Sequence, residues 1–307
     1  MRAIAIVPSL PGAKLVTRSD PKRNAEDEVM LRIIRVGICG TDREEVAGGR
    51  AKAPPGVNDL VIGHEMLGQV VDIGGRVDRV SVGDLAVFTV RRACGECLPC
   101  SLNRPDMCRS GEYTERGIWG RDGYQTEFAV DAEQNVVRVP DELESVGVLV
   151  EPLSVAEKAI DEAVRIQGSR LPDFQSTPHW LFGKRCLVAG LGPIGLLAAM
   201  ILRLRGAEVF GLDVVDPAST RPKWIEGIGG HYEDGRVTSP ADLHSTTGGM
   251  DLVFEATGIA TVELNLLDAL TINGAYVLTG IPSGDRPLQI DASETLRRLV
   301  LNNQAGH

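Results

Sequence analysis

KRCLVAGLGPIG, residues 184–195, carries the clearest architectural signal in this chain of 307 residues. A short apolar run ends at glycines 190, 192 and 195, and the helix-like PIGLLAAMILRLRG follows directly. In such a unit the first glycine allows a tight turn, the second lets the backbone approach a pyrophosphate, and the third packs helix on strand. The helix N-terminus then offers N–H groups to phosphate oxygens. These features predict a dinucleotide-binding loop made of Gly190, Leu191, Gly192, Pro193, Ile194 and Gly195.

The segments around this loop alternate between strand-like and helix-like patterns. AEVFGLD (207–213) and DLVFEATG (251–258) are short apolar runs, and TVELNLLDALTING (261–274) has helical spacing before the strand-like AYVLTG (275–280). Such alternation predicts parallel strands joined by crossover helices. The first half instead contains short strand-like runs punctuated by glycine and proline, of which VMLRIIRVGI (29–38) is the clearest.

The fold class predicted is therefore α/β with two domains. A mainly β domain of residues 1–155 precedes a dinucleotide-binding domain of residues 156–307, and the turn-rich stretch 169–184 is expected to connect helix to sheet.

Composition narrows the class of partner. The formal net charge is −10, and nucleic-acid or anionic lipid surfaces require clustered Lys and Arg, so we expect neither partner. A small molecule fits better. No long apolar run and no charged-then-apolar N-terminal leader is present, which predicts a cytoplasmic protein without a membrane segment.

Four of the six cysteines lie within fifteen positions, at Cys94, Cys97, Cys100 and Cys108. Four thiolates form a closed tetrahedral site for a structural Zn²⁺, and Gly95 and Pro99 are suited to the turns between them. An iron–sulfur cluster and unmetallated thiols are the alternatives, but in ferredoxin-type runs the last cysteine follows more closely and precedes proline. Structural zinc is the favoured interpretation.

The end of the second strand-like run bears on which dinucleotide binds. Asp213, followed by Val214, suits a ribose hydroxyl, whereas an arginine there would suit a 2′-phosphate. NAD is therefore favoured over NADP. Arg221 and Lys223 lie further along and leave NADP open.

A second set of metal-ligating residue types is spread over the first half: Cys39 in GICGTD, His64 and Glu65 in GHE, and Glu151 in VEP. A thiolate, an imidazole and a carboxylate form a catalytic rather than a structural zinc set, because three protein ligands leave one position open. His64 and Glu65 are adjacent, so they would point to opposite faces of a regular strand. Either the chain turns there, or one of the two residues does not bind the metal directly and only contacts its ligands.

In this order, GICGTD, GHE, the cysteine run and GLGPIG resemble the zinc-dependent medium-chain dehydrogenases. TVRRACGEC, RPDMC, GEYTERGI, DGYQTEFAV and LVEPLSVAEKA resemble more specifically the glucose 1-dehydrogenases of archaea, over essentially the whole chain. The resemblance implies a GroES-like domain followed by a Rossmann domain, zinc and NAD or NADP as cofactors, a sugar substrate, and a homo-oligomer, either dimer or tetramer.

The resemblance also implies individual roles. Cys39, His64, Glu65 and Glu151 match the surroundings of the catalytic zinc, and the four-cysteine run matches the structural one. Thr41 matches a hydroxyl that contacts the sugar and passes its proton outward, and Glu115 and Glu151 match carboxylates that hold sugar hydroxyls. Thr257, with Thr279, Gly280 and Ile281, is implied to lie beside the nicotinamide.

Other readings stay open at this point. Sorbitol-type and threonine-type dehydrogenases share both metal sites and the cofactor fold, a catalytically inactive regulatory relative would keep the fold, and a cysteine run also occurs in zinc-ribbon binding modules. Members of the family usually continue past a point like RRLVLNNQ, so we expect the chain ending in QAGH to be a shortened form.

Overall fold

The computed structural model describes residues 1–170, 180–282 and 287–307. It separates into two compact units, Met1–Glu151 and Pro152–His307, which divide slightly before the predicted boundary at residue 155. Most of the predicted connector, residues 171–179, lies outside the described residues. Among the described helices none is both long enough and apolar enough to cross a bilayer.

The first unit is built from short strands, as its glycine- and proline-punctuated sequence predicts. Its main sheet is antiparallel in the order β10-β3-β5-β6-β11, beside two three-stranded sheets, β2-β1-β4 and β7-β8-β9. The strands are β1 (Arg2–Ile6), β2 (Lys14–Thr17), β3 (Glu28–Val36), β4 (Leu60–Val61), β5 (Met66–Ile73), β6 (Leu85–Phe88), β7 (Arg91–Arg92), β8 (Thr114–Arg116), β9 (Gly120–Arg121), β10 (Phe128–Ala132) and β11 (Val136–Val139). Two short helices interrupt them, α1 (Gly40–Val46) and α2 (Leu98–Ser101).

The pairing of β3 with β5 positions the candidate site. The strands are antiparallel, and Val36 at the end of β3 lies opposite Met66 at the start of β5. The residues that follow β3 are therefore brought against those that precede β5. The interior of this sheet is apolar, with Leu31, Leu67 and Phe88 almost completely buried, so a one-residue slip would expose the core.

The second unit contains one parallel sheet with the order β14-β13-β12-β15-β16-β17. The strands are β12 (Arg185–Ala189), β13 (Glu208–Asp213), β14 (His231–Asp234), β15 (Met250–Glu255), β16 (Leu270–Leu278) and β17 (Ala305–Gly306). The helices are α3 (Val150–Arg170), which begins at the end of the first unit, α4 (Pro193–Leu204), α5 (Thr220–Gly227), α6 (Pro240–Thr247), α7 (Ala260–Asn265) and α8 (Ala292–Leu301). The predicted α/β fold class is confirmed.

Strand β12 shows why this sheet is buried on both faces. Cys186 and Val188 belong to one apolar cluster, and Leu187 and Ala189 belong to another on the opposite face. This is the expected behaviour of a strand covered by helices on both sides. Burial raises the pKa of the Cys186 thiol, in keeping with a core cysteine.

One predicted element is wrong in its extent. The helical spacing of residues 261–274 continues only through α7, which ends at Asn265; a single 3₁₀ turn follows at Leu266–Ala269, and β16 already begins at Leu270. Pairing of β16 with β15 determines the outcome, because Met250 pairs with Leu270 and Leu252 with Ala275 across a register shift. Tertiary pairing thus overrides the local helical pattern.

Candidate active site

Cys39 lies directly before α1 and forms the N-cap of that helix. Its sulfur accepts a hydrogen bond from Thr41 N at 3.2 Å, and Asp42 Oδ2 accepts one from Cys39 N at 2.8 Å. These reciprocal bonds form a capping box, which satisfies N–H groups that the helix leaves unpaired. The cap fixes both the thiol and the first turn of α1, where Thr41 lies.

His64 and Glu65 lie between β4 and β5, in a stretch without regular strand geometry. Gly63 has φ +95°, a conformation that strands do not use. The chain therefore turns here, which was the first of the two alternatives considered for the adjacent pair. Gly37 is also required, because a Cβ at that position would lie 2.8 Å from the Cβ of Glu65.

These elements bring three predicted ligands together. Cys39 Sγ lies 3.0 Å from His64 Nε2, and one donor atom each from Cys39, His64 and Glu65 lie within 4.8 Å of one another. Glu151 is not a member of this compact set. Its carboxylate is nevertheless close enough to interact with His64 and Glu65, and burial raises the pKa of Glu151 to about 7.

Two buried acids support this cluster and were missed by the sequence analysis as functional residues. Asp42 and Glu45 are 2% and 1% exposed, and they lie one turn apart on α1. Asp42 Oδ1 lies 3.8 Å from His64 Nδ1, and these two atoms and both Glu45 carboxylate oxygens have no hydrogen-bond partner. The spacing of Asp and Glu in GTDREEV was the available signal, but it equally fits a solvated helix face.

This donor chemistry fits a zinc ion. Buried carboxylates without partners are costly unless a cation lies near them, and a thiolate, an imidazole and a carboxylate are ligands that catalytic zinc takes. Burial opposes protonation of His64, but the contact with Cys39 and the nearby Asp42 and Glu151 together outweigh burial and raise the pKa of His64 to about 9. The imidazole therefore lies among a thiol and several acidic side chains.

The four-cysteine run forms a second, separate cluster. The sulfurs of Cys94, Cys97, Cys100 and Cys108 lie within 4.8 Å of one another. Cys97 Sγ and Cys108 Sγ are 3.9 Å apart, too far for a disulfide and close to the separation of about 3.8 Å expected for two sulfurs on one tetrahedral zinc. Contacts with Ser110 and backbone N–H groups lower the pKa of Cys94 to about 6, which favours the thiolate form that zinc needs.

Glu115, the predicted sugar-binding carboxylate, is 7% exposed in strand β8. Arg50 donates to its Oε2 at 2.7 Å and Arg91 to its Oε1 at 2.6 Å. Gly117, just after β8, packs so tightly on Gly63 that a Cβ would lie 2.3 Å from Gly63 O. The segment that carries Glu115 therefore lies against the segment that carries His64.

The glycines of GLGPIG have three different environments. Gly190 has φ +87°, and a Cβ on Gly195 would lie 1.9 Å from Gly190 O, so one glycine makes the turn and the other permits close packing. At Gly192, the N-cap of α4, a Cβ would meet nothing within 4 Å. That opening at a helix N-terminus fits a pyrophosphate, as the sequence predicts.

Asp213 at the end of β13 is bound to this loop. Its Oδ2 accepts from Leu191 N at 2.8 Å and from Arg221 at 3.2 Å, and its Oδ1 accepts from Val214 N at 2.7 Å. Val214 is exposed. The carboxylate therefore both braces the glycine loop and holds a guanidinium at the position where a ribose is expected.

Thr257 and residues 279–281 follow β15 and β16, at the same carboxyl edge of the sheet. Thr257 Oγ1 donates to Glu255 Oε1 at 2.6 Å, and Thr279 Oγ1 donates to the Glu255 carbonyl at 2.6 Å. Ile281 is 76% exposed. The structure thus brings the predicted cofactor residues of these two turns together around Glu255, which the sequence analysis did not single out.

Two family models match the chain. Residues 25–141 match the alcohol dehydrogenase GroES-like domain, and residues 144–306 match the glucose dehydrogenase C-terminus. The expected pairing of a GroES-like domain with a Rossmann-type dehydrogenase domain is confirmed.

Two glucose 1-dehydrogenases match almost the whole chain. Glucose 1-dehydrogenase 1 of Caldivirga maquilingensis is 41% identical, covering 99% of this chain and 81% of that protein. Glucose 1-dehydrogenase 2 of Vulcanisaeta moutnovskia is 40% identical, covering 99% and 82%. The solved Haloferax mediterranei glucose dehydrogenase in complex with NADP, Zn and gluconolactone superposes with a TM-score of 0.87 at 33% identity, covering 100% of this chain and 84% of that one.

Proposed function

Since this chain belongs to the glucose dehydrogenase family of zinc-dependent medium-chain dehydrogenases, we propose that it oxidises D-glucose, or a related aldose, at the anomeric carbon. The hydride passes to the nicotinamide of NAD or NADP, and gluconolactone is released. The observation that carries this proposal is the compact set of Cys39, His64 and Glu65 donor atoms in a chain that also has the dinucleotide loop.

Cys39, His64 and Glu65 would hold the catalytic zinc, with Glu151 close by. When bound, that zinc supplies Lewis acidity that lowers the pKa of the anomeric hydroxyl. Thr41 is placed by the Cys39 cap, and its hydroxyl takes up the proton from the sugar and passes it outward. Cys94, Cys97, Cys100 and Cys108 would hold the structural zinc.

Glu115 and Glu151 give the site its preference for a polyol. Arg50 and Arg91 fix the orientation of the Glu115 carboxylate. Its remaining lone pairs accept hydrogen bonds from hydroxyl groups of the sugar. A site built to pair hydroxyls rejects analogues that lack them much more strongly than an apolar pocket does. Simple alcohols should therefore be poor substrates.

On the cofactor side, residues 190–195 bind the pyrophosphate, and Thr257 with Thr279, Gly280 and Ile281 contact the nicotinamide. Asp213 and Val214 favour NAD, because the carboxylate suits a ribose hydroxyl and repels a 2′-phosphate. Arg221, which pairs with Asp213, keeps NADP usable.

The test is a substrate and cofactor panel on the purified chain. Glucose, sorbitol, threonine and ethanol are each offered with NAD and with NADP, reduced nicotinamide is followed by absorbance, and lactone is identified by mass. We expect lactone from glucose, faster with NAD, and two zinc ions per chain. Turnover of sorbitol or threonine without lactone from glucose would overturn the proposal in favour of those dehydrogenase types.

We also propose a cytoplasmic location and a homo-oligomeric state, dimer or tetramer. Four clustered thiolates survive best in a reducing compartment. Light scattering on the purified chain measures the assembly, and a monomer at micromolar concentration would contradict that part.

A further inference from the structure

Glu255 ends strand β15 with a side chain that is completely buried yet receives hydrogen bonds from two different turns. Its Oε1 accepts from the N–H and the hydroxyl of Thr257 and from the N–H of Gly258 at 3.0 Å. Its Oε2 accepts from the N–H of Gly280 at 3.1 Å. One carboxylate therefore joins the turn after β15 to the turn after β16.

The same two turns touch through their glycines. A Cβ on Gly280 would lie 2.4 Å from Gly258 N and 2.5 Å from Glu255 Oε2, and Gly258 has φ +63°. A side chain at either glycine would strain or separate the turns. Backbone contact and carboxylate thus set the spacing of the turns at one point.

The first of these turns also packs on the dinucleotide loop. A Cβ on Gly190 would lie 2.8 Å from Ala256 O and 3.0 Å from Thr257 Cγ2. In open parallel sheets, ligands bind beyond the carboxyl ends of the strands, next to the point where strand order reverses. Here that point is β12, which has β13 on one side and β15 on the other.

We propose that Glu255 is a positioning residue for the nicotinamide half of the dinucleotide. It holds residues 256–258 and 279–281 at the spacing at which their backbone and hydroxyl groups contact the nicotinamide riboside, while the N–H groups of the glycine loop hold the pyrophosphate. This inference rests on the proposed function, which makes these turns part of the cofactor site.

A glutamate is needed because both carboxylate oxygens accept. A glutamine has the same shape but one acceptor oxygen; with that oxygen on the Thr257 side, its NH₂ group faces the N–H of Gly280, and two donors repel each other. Glu255→Gln should therefore loosen the 279–281 turn at Gly280, while the bond from Thr279 to the Glu255 carbonyl stays.

The experiment compares Glu255→Gln with Asp251→Asn, a control on the same strand. Asp251 lies at the opposite end of β15 and also accepts from a backbone N–H, that of Arg185, at 2.9 Å. Both changes convert an acid to its amide and remove carboxylate bonding within the sheet. Binding of NADH is measured by its fluorescence, and binding of ADP-ribose, which lacks the nicotinamide, by calorimetry.

We expect Glu255→Gln to weaken NADH binding about tenfold or more and ADP-ribose binding less than about twofold. Asp251→Asn should change neither affinity, whatever it does to the melting temperature. NADH affinity unchanged in Glu255→Gln, or an equal loss for NADH and ADP-ribose, overturns the inference.

If Glu255→Gln fails to fold, Gly280→Ala provides the same test, since it keeps the carboxylate and crowds the contact that the carboxylate fixes. It too should weaken NADH binding much more than ADP-ribose binding, and equal effects overturn the inference. A wild-type chain that binds neither NADH nor NADPH overturns the proposed function, and this inference with it; normal wild-type binding with unaffected variants overturns the inference alone.

Discussion

Acids that are largely shielded from solvent occur at both candidate sites, but their surroundings differ. Beside Cys39 and His64, Asp42 Oδ1 and both oxygens of Glu45 lack hydrogen-bond partners. At the carboxyl edge of the parallel sheet, Asp213 and Glu255 use both carboxylate oxygens to accept hydrogen bonds from the chain itself. The first pair leaves acceptor oxygens beside the proposed zinc site, whereas the second pair fixes backbone turns of the proposed cofactor site.

The largest effect is expected for removal of the His64 imidazole. His64→Ala should lower kcat/KM for glucose about 1000-fold, because several kcal/mol of transition-state stabilisation depends on the ion held there. Zinc content should fall from two to one per chain, with the circular dichroism spectrum unchanged. Retention of two zinc ions would show that His64 is not a ligand.

Asp42→Asn tests whether the carboxylate next to His64 Nδ1 strengthens zinc binding. The asparagine carbonyl can still accept from Cys39 N, so the helix cap is kept while the negative charge 3.8 Å from His64 Nδ1 is lost. We expect zinc affinity at the catalytic site to fall about 10- to 100-fold, as for other residues that support a metal histidine. Chelator competition measures it, and unchanged affinity would contradict the role assigned to the buried charge.

Asp213→Ala tests the hydrogen-bonded acids at the proposed cofactor site. Without the carboxylate, Leu191 N loses its partner and Arg221 becomes available to a 2′-phosphate. Affinity for NAD should fall about tenfold, and the preference should move toward NADP. Dissociation constants for both cofactors measure this, while zinc content should stay at two per chain; an equal loss for NAD and NADP would exclude a role in selectivity.

The smallest effect concerns protons on Glu45. Burial, and then the nearby Asp42, raise the pKa of Glu45 from 4.5 to about 8. A carboxyl with a raised pKa in the folded state contributes stability at low pH, and this contribution is lost as pH rises from about 4.5 to about 8.

The pH dependence of stability is best compared in the His64→Ala background, because a zinc ion at the catalytic site would change the pKa of Glu45. Adding Glu45→Gln should remove part of the fall in the free energy of unfolding between pH 5 and pH 8.5. Urea unfolding at pH 5 and pH 8.5 measures it. Parallel pH profiles with and without Glu45 would show that this carboxyl does not titrate in that range.

The sequence predicts the conformation of the glycine loop, because strand, turn and helix are contiguous and each glycine meets a local steric demand. Cys39, His64 and Glu65 were predictable as ligand types, but their meeting depends on the register that places Val36 opposite Met66, a long-range property. The sequence predicts Glu151 as a fourth member, but the structure leaves it outside the compact set.

Asp42, Glu45 and Glu255 could not be identified from sequence as functional. Acids on a short helix or at a strand end are usually solvated, and only packing shows that these three are buried. The arginines on Glu115 come from positions 24 and 65 residues away, so no local pattern links them to it.

The cap that Cys39 forms on α1 limits how position 39 can vary in evolution. A substitute must accept the hydrogen bond of Thr41 N and also ligate a metal. Serine retains the cap but gives no thiolate, and histidine ligates but is a poor cap; aspartate satisfies both demands. Natural variation at this position should therefore alternate between cysteine and aspartate, exchanging a soft donor for a hard one without disturbing the helix.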